Sequence, residues 1–293
     1  MNPTIDEFND AYFEWCAAHK RPNTVAMEKR YWNQLTAYTK ARRLGDITQR
    51  KVESFKAKLK RKGASGKPLA DQSVNDVLLH LQAIFNHATK LKLFDGDNPV
   101  RDVARFKITR TAPDFLSLDE MAALLEAAEA HSKAIHWVFL LGLYAGLRKN
   151  ELVNCRWEWF DTGKAGKPIL RVREHEGFVI KDYEERPIPL ASKIADVILP
   201  HSAGEGFLFE STAPNKGKWR YRYEPQRAFS AVKLAAKVPK ANFLLLRHSF
   251  ASWHIINGTP VAKVSRWLGH AKIDTTMKHY AGLLTYDDDI ENF

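Results

Sequence analysis

The stretch Leu246-Arg247-His248-Ser249-Phe250-Ala251-Ser252, followed by Leu268-Gly269-His270 and, ten residues after that histidine, by Tyr280, decides how this chain is read. Arginine and histidine close ahead of a tyrosine are an arrangement that holds a phenol against a phosphate. Two further pieces lie far upstream. One is Ala145-Gly146-Leu147-Arg148-Lys149-Asn150-Glu151-Leu152; the other is Lys181, five residues before Arg186-Pro187-Ile188-Pro189-Leu190. Each string alone is commonplace: a hairpin lysine is usually solvated, and a Gly-His turn usually faces water. Their common order and spacing carry the weight.

The rest of the chain sets the context. Its 293 residues are enough for two domains with separate cores. A hydrophobic content of 45% with eight tryptophans excludes a disordered chain. The formal net charge of +11 is unevenly spread: residues 1–112 hold 21 Lys and Arg against 12 Asp and Glu, leaving nearly balanced charge beyond them. A basic first third is an electrostatic footprint for a polyanion, most simply nucleic acid. Cys16 and Cys155 sit among apolar residues, outside any Cys/His cluster, so buried free thiols and no metal site are expected. Neither a signal sequence nor an apolar run of membrane length is visible, which points to the cytoplasm and no membrane partner.

Periodicity predicts a mainly α fold with a small antiparallel β-sheet. Thr4 with Glu7 marks a capping box ahead of Phe8, Tyr12, Phe13 and Trp15. A second helix runs from Pro22 to about Arg43, a third carries Val52, Phe55 and Leu59, and a fourth spans roughly Ala70 to Leu91. The broad apolar face of the fourth places it at the centre of a bundle, residues 1–98. Residues 99–113, polar and aperiodic, read as a linker. Residues 114–293 form the second domain. There Ser117 with Glu120 starts a helix, Ile135 to Tyr144 reads as buried, and apolar alternation at Ile169 to Val172, Phe178 to Ile180 and Ile188 predicts strands. Helices resume near Ala191, Glu224, Asn242, Val261 and Ile273.

In this order and spacing the strings resemble the catalytic domain of the tyrosine recombinases, the phage-integrase and Xer-type family. The resemblance implies a core-binding, SAM-like helical bundle ahead of an α+β catalytic domain, the two closing around double-stranded DNA. It implies strand cleavage without metal or cofactor, through a 3′-phosphotyrosyl intermediate, by a tetramer on paired sites, with accessory DNA-bending or directionality factors. Position by position, Arg148 and Arg247 match the two phosphate-binding arginines and Lys181 the hairpin lysine that protonates the leaving 5′-oxygen. His270 matches the phosphate-binding histidine and Tyr280 the nucleophile, ahead of its nearest competitor Tyr286. Arg148 is expected at a helix N-terminus, where free amides favour phosphate, and Glu151 is expected to support it. His248 is expected to be structural. Candidate DNA contacts are Arg42, Arg43, Lys56, Lys60, Arg61, Lys62, Arg101 and Arg105, the strongest basic cluster in the chain.

One position departs from the family. The residue three before the second arginine is usually histidine, and here it is Leu244. Leucine neither donates a hydrogen bond nor moves a proton; losing one donor to a phosphorane costs about 3 kcal/mol, roughly a hundredfold or more in rate. Reduced activity is therefore expected, with Asn242 or His279 as candidate substitutes. The alternative is a catalytically weakened relative that binds DNA without turnover. A type IB topoisomerase, with the same chemistry, is a third reading.

Overall fold

A computed structural model of the chain describes residues 1–63, 66–108, 114–163, 166–180, 185–209 and 223–283. It divides into two units, Met1–Arg110 and Thr111–Phe293, each with its own hydrophobic core. The mainly helical architecture with a small antiparallel sheet is the one the sequence predicts.

Four helices build the first unit. Helix α1, Ile5–His19, begins at the expected capping box. The Thr4 hydroxyl accepts the Glu7 N–H at 3.2 Å, and the Glu7 carboxylate accepts the Thr4 N–H at 2.8 Å. Helix α2, Pro22–Thr39, opens on proline, whose missing N–H is no loss in a first turn. Lys40, at φ 49°, ends it short of the predicted Arg43. Thr48 caps α3, Gln49–Arg61. Helix α4, Asp71–Lys90, buries Val74, Val77, Leu78, Leu81, Ile84 and Phe85 and packs against both α2 and α3.

The chain after α4 stays attached to this core. Val100 and Val103 are buried in it. Phe106 packs on it while its backbone N–H and C=O each bond the Asn75 amide at 2.9 Å. The segment expected to be linker from residue 99 is thus packed at least as far as Phe106. Its three apolar anchors recur every third residue in an irregular segment, a spacing that matches neither helix nor strand. Residues 109–113 lie outside the described residues.

The second unit starts with α5, Leu118–His131, at the expected Ser117–Glu120 box, and α6, Lys133–Tyr144, buried on nearly every face. After the short α7, Lys149–Val153, come strands β1, Phe160–Thr162, β2, Pro168–Val172, and β3, Arg186–Pro189. They pair antiparallel in that order, with Leu170 opposite both Phe160 and Ile188. Phe178 to Ile180 form no strand, contrary to expectation. His175 pairs with Phe178 in an isolated bridge, and the Ile180 N–H donates to Glu174 at 3.0 Å. Burial of Phe178 and Ile180 around an exposed Val179 produces the two-residue alternation without a partner strand. Among the described residues, five α-helices complete the unit: α8, Ser192–Ile198; α9, Gln226–Ala235; α10, Phe243–Ile256; α11, Val261–Leu268; and α12, Ile273–Tyr280. Among the described residues no helix is long and apolar enough to cross a membrane.

Candidate active site

The site is assembled around two glycine turns. At the end of α6, Gly146 takes φ +62°, and a Cβ there would lie 2.5 Å from the Phe250 ring of α10. Only glycine allows that approach, and the turn delivers Arg148 to the residue before α7. The second turn follows α11, where Gly269 takes φ +63° and leads into His270. The His270 N–H returns to the Ser265 carbonyl at 3.1 Å.

Three arginines converge on this second turn, each through a different carbonyl. Arg186 of β3 donates its Nε to the Trp267 carbonyl at 2.8 Å. Arg247 of α10 donates Nη2 to the Leu268 carbonyl. Arg148 donates Nη2 to the Gly269 carbonyl at 2.8 Å. Carbonyls left over at a helix C-terminus carry partial negative charge, which helps three like charges share one place. Arg247 also grips the first turn, donating Nη1 to the Gly146 carbonyl at 2.7 Å.

The only carboxylate among these contacts is that of Glu151, 2% exposed. It pairs with Arg186 at 2.7 Å and with Arg148 at 3.0 Å, and it accepts the Arg148 backbone N–H at 2.8 Å. Burial pushes its pKa up; the charges of Arg186, Arg247 and Arg148 outweigh that and hold it below the usual carboxylate value. Free amides are expected at this helix N-terminus, but that of Arg148 itself is taken by Glu151. The expectation that Glu151 supports Arg148 matches the contacts, which extend to Arg186 as well.

Among the described residues, three guanidiniums gather here around the one carboxylate of Glu151. Burial first, then the like charge of Arg148, lower Arg247 to about 9, so it stays protonated at neutral pH. Among the described residues, Nη1 of Arg186 is buried with no hydrogen-bond partner. An anion placed here would satisfy the charge and offer that nitrogen an acceptor.

On the far side of the turn, His270 Nδ1 lies 2.8 Å from the Thr276 hydroxyl of α12. Tyr280, the last residue of that helix, is 2% exposed and packs with Phe250, Ala251, Ile255, Val264 and Leu268. Its hydroxyl is 2.6 Å from Nδ1 of His248. Burial raises the phenol to about 12, against the pull of Arg247. Lys181 and Tyr286 lie outside the described residues.

Sequence reasoning passed over two members of this cluster. The sequence signal of Arg186 is a charge in an inward-facing strand position, on the same face as Ile188. His248 was read as structural, yet its ring meets the Tyr280 hydroxyl. Nothing in the sequence gives the turn of α12 that brings the two together. Neither proposed substitute for Leu244 points inward: Asn242 caps α10 by accepting the Leu245 N–H at 2.9 Å, and His279 is exposed. Leu244 itself is 60% exposed.

The basic candidates of the first unit divide into two groups. Arg42, Arg43, Arg61, Lys62, Arg101 and Arg105 are exposed, although Arg43 donates to the Asn2 carbonyl at 2.8 Å and Arg105 to the Gln82 side chain. Lys56 and Lys60 instead lie over the Phe106 ring, 4.8 and 5.4 Å from its centroid. Lys56 also donates to the Ala104 carbonyl, and Lys60 pairs with Asp71 at 2.5 Å. These two amines fasten the segment after α4.

A helical unit followed by one that gathers three guanidiniums and a tyrosine around a helix–turn–helix has the organisation of a DNA strand-transfer enzyme. The chain belongs to the phage integrase family, the tyrosine recombinases, which cleave and rejoin DNA at specific sites: that family's profile matches residues 114–285, and the phage integrase SAM-like domain matches residues 5–106. A tyrosine recombinase of Thermosipho africanus is 27% identical over 286 residues, covering 94% of each chain. The XerA tyrosine recombinase of Pyrococcus furiosus is 30% identical over 237 residues, 78% of this chain and 74% of that one. The integrase of Escherichia phage P2 is 29% identical over 71% of this chain, which spans just 56% of the phage protein. Among solved structures, the Tn1549 transposon integrase in complex with transposon right end DNA shares the fold at TM-score 0.73 and 17% identity, over 97% of this chain and 96% of that one. A lambda integrase tetramer bound to a Holliday junction aligns at TM-score 0.68 and 17% identity, over 92% and 78%.

Proposed function

We propose that this chain recombines two double-stranded DNA sites through a 3′-phosphotyrosyl intermediate formed on Tyr280. The observation that carries the reading is the arginine cluster: three guanidiniums held by successive carbonyls of the turn between α11 and the tyrosine-bearing α12. A scissile phosphate there would be held by Arg148 and Arg247 with His270, and its growing charge in the transition state would be stabilised by groups already in position. Tyr280 attacks phosphorus, and Lys181 gives the departing 5′-oxygen its proton. The helical bundle, with the segment after α4 packed on it, is the core-binding domain, and it and the catalytic domain from residue 114 both bind the duplex. The exposed cations Arg42, Arg43, Arg61, Lys62, Arg101 and Arg105 contact phosphates, and Lys56 and Lys60 keep the segment that carries the last two in place. The active form is a tetramer on paired sites, a reading supported by the lambda integrase tetramer bound to a Holliday junction.

The test is covalent trapping. Random-sequence duplexes carrying a 5′-bridging phosphorothiolate are incubated with the protein, and the denatured mixture is resolved by mass. Wild type is expected to form a protein–DNA adduct on the peptide containing Tyr280, absent in Tyr280→Phe. An adduct that survives Tyr280→Phe overturns the assignment. Binding with no adduct in the wild type favours a second reading, a weakened DNA-binding relative, which rests on the apolar, solvent-facing Leu244.

A further inference from the structure

We propose that His248 is a catalytic residue: its Nδ1 takes the phenolic proton of Tyr280 as the tyrosine attacks, and gives it back when the strands rejoin. This rests on Tyr280 being the nucleophile, and adds to it the group that makes a phenol reactive.

A phenol raised to about 12 is almost wholly protonated at neutral pH, and a neutral phenol is a poor nucleophile. The arginines stabilise charge but carry no lone pair with which to accept a proton. The atom in contact with the Tyr280 oxygen is Nδ1 of His248, at 2.6 Å, within the range of a strong O–H···N bond. The two rings meet at 60° with centroids 5.9 Å apart, so the imidazole meets the hydroxyl without stacking over the phenol. Burial, then the charges of His279 and Arg247, lowers His248 to about 4, which keeps the ring neutral and its lone pair available. The groups bearing on it are thus Arg247 beside it on α10, and His279 and Tyr280 on α12. Leu244, one turn earlier on α10, is turned to solvent and cannot share the task. In the step itself, the Tyr280 oxygen bonds phosphorus, the P–O5′ bond breaks, and the phenolic proton moves to Nδ1. The leaving oxygen takes a separate proton. Rejoining reverses each transfer, so His248 ends neutral.

Two measurements test this, and one needs no DNA. In uniformly ¹⁵N-labelled protein, His248 is expected to be neutral at pH 6–8 with Nδ1 unprotonated, and Tyr280→Phe is expected to shift that nitrogen. A charged ring, or a proton fixed on Nδ1, overturns the proposal. The second uses the phosphorothiolate duplex pool, whose sulfur leaves without needing a proton, so that nucleophile activation alone is read. Wild type is expected to form adduct at a rate flat between pH 6 and 9. His248→Ala and His248→Gln are expected to be on the order of 100-fold slower at pH 7, and to gain about tenfold per pH unit as hydroxide replaces the base. Gln keeps a hydrogen bond to the phenol but accepts no proton, so a merely positioning role leaves it fast and pH-flat. A near-wild-type, pH-flat His248→Gln with no adduct in Tyr280→Phe overturns the His248 role and leaves the nucleophile standing. Adduct persisting in Tyr280→Phe removes both.

Discussion

Removing the carboxylate of Glu151 would leave Arg148 and Arg186 facing one another with their shared partner gone. Breaking a buried ion pair on one side costs about 3–5 kcal/mol, because the surviving charge stays out of water. Glu151→Gln is therefore expected to lower the free energy of unfolding by about 3 kcal/mol, read from urea denaturation at pH 7. Acid does the same to the wild type. The Glu151 pKa is lowered in the folded chain, so its contribution is present above its ordinary value of 4.5 and fades as the pH falls below that. As the pH falls through that lowered folded value the wild type should approach the variant; a gap that persists unchanged through acid unfolding would show that charge is not what Glu151 supplies. At this scale the strings placed Arg148, Arg247, His270 and Tyr280 near one another, and the contacts around the turn after α11 agree with that placement. Arg186 and His248 stand in the same strings, but their contacts with Glu151 and Tyr280 cross 35 and 32 residues and could not be read from them.

Helix α11 acts through its last turn. Its final carbonyls and that of Gly269 position three guanidiniums, and Gly269 makes the turn possible. A Cβ at Gly269 would lie 2.9–3.1 Å from the Arg186 side chain, which is held by both Trp267 and Glu151 and has little room to yield. Gly269→Ala is expected to cost about 2 kcal/mol from backbone strain and this contact. It is also expected to slow adduct formation on the order of 100-fold by displacing His270 and the arginines. Gly258, at φ +75° with nothing near its Cβ position, is the control. Gly258→Ala should lose about 1 kcal/mol and keep the wild-type adduct rate. Equal rates for the two variants would mean that the turn after α11 does not position the site. Such elements announce their starts clearly, since capping boxes at Thr4 and Ser117 are local chemistry. The false strand at residues 178–180 shows the converse, because alternating burial requires only an uneven surface to lie against, and a strand requires a partner.

Over the whole molecule, two cores and an uneven charge were visible in the composition, but the end of the first unit was not. Polar character from residue 99 onward concealed three apolar side chains that pack on the core of the bundle. A fragment ending at residue 98 would remove Val100 and Val103 from that core and expose the surface they cover. Burying a valine side chain fully is worth about 1.5–3 kcal/mol. It would also break the paired Asn75–Phe106 hydrogen bonds and leave the Lys56 and Lys60 amines without the ring they lie over. Residues 1–108 are therefore expected to unfold cooperatively on their own, and residues 1–98 to be less stable by at least about 3 kcal/mol. Chemical denaturation of the two fragments, followed by tryptophan fluorescence, makes the comparison. Equal midpoints and slopes would return residues 99–108 to the role of linker. A lower midpoint for the shorter fragment would place Arg101 and Arg105 on the rigid surface of the bundle, where their positions, and not only their charges, could be used to grip a phosphate backbone.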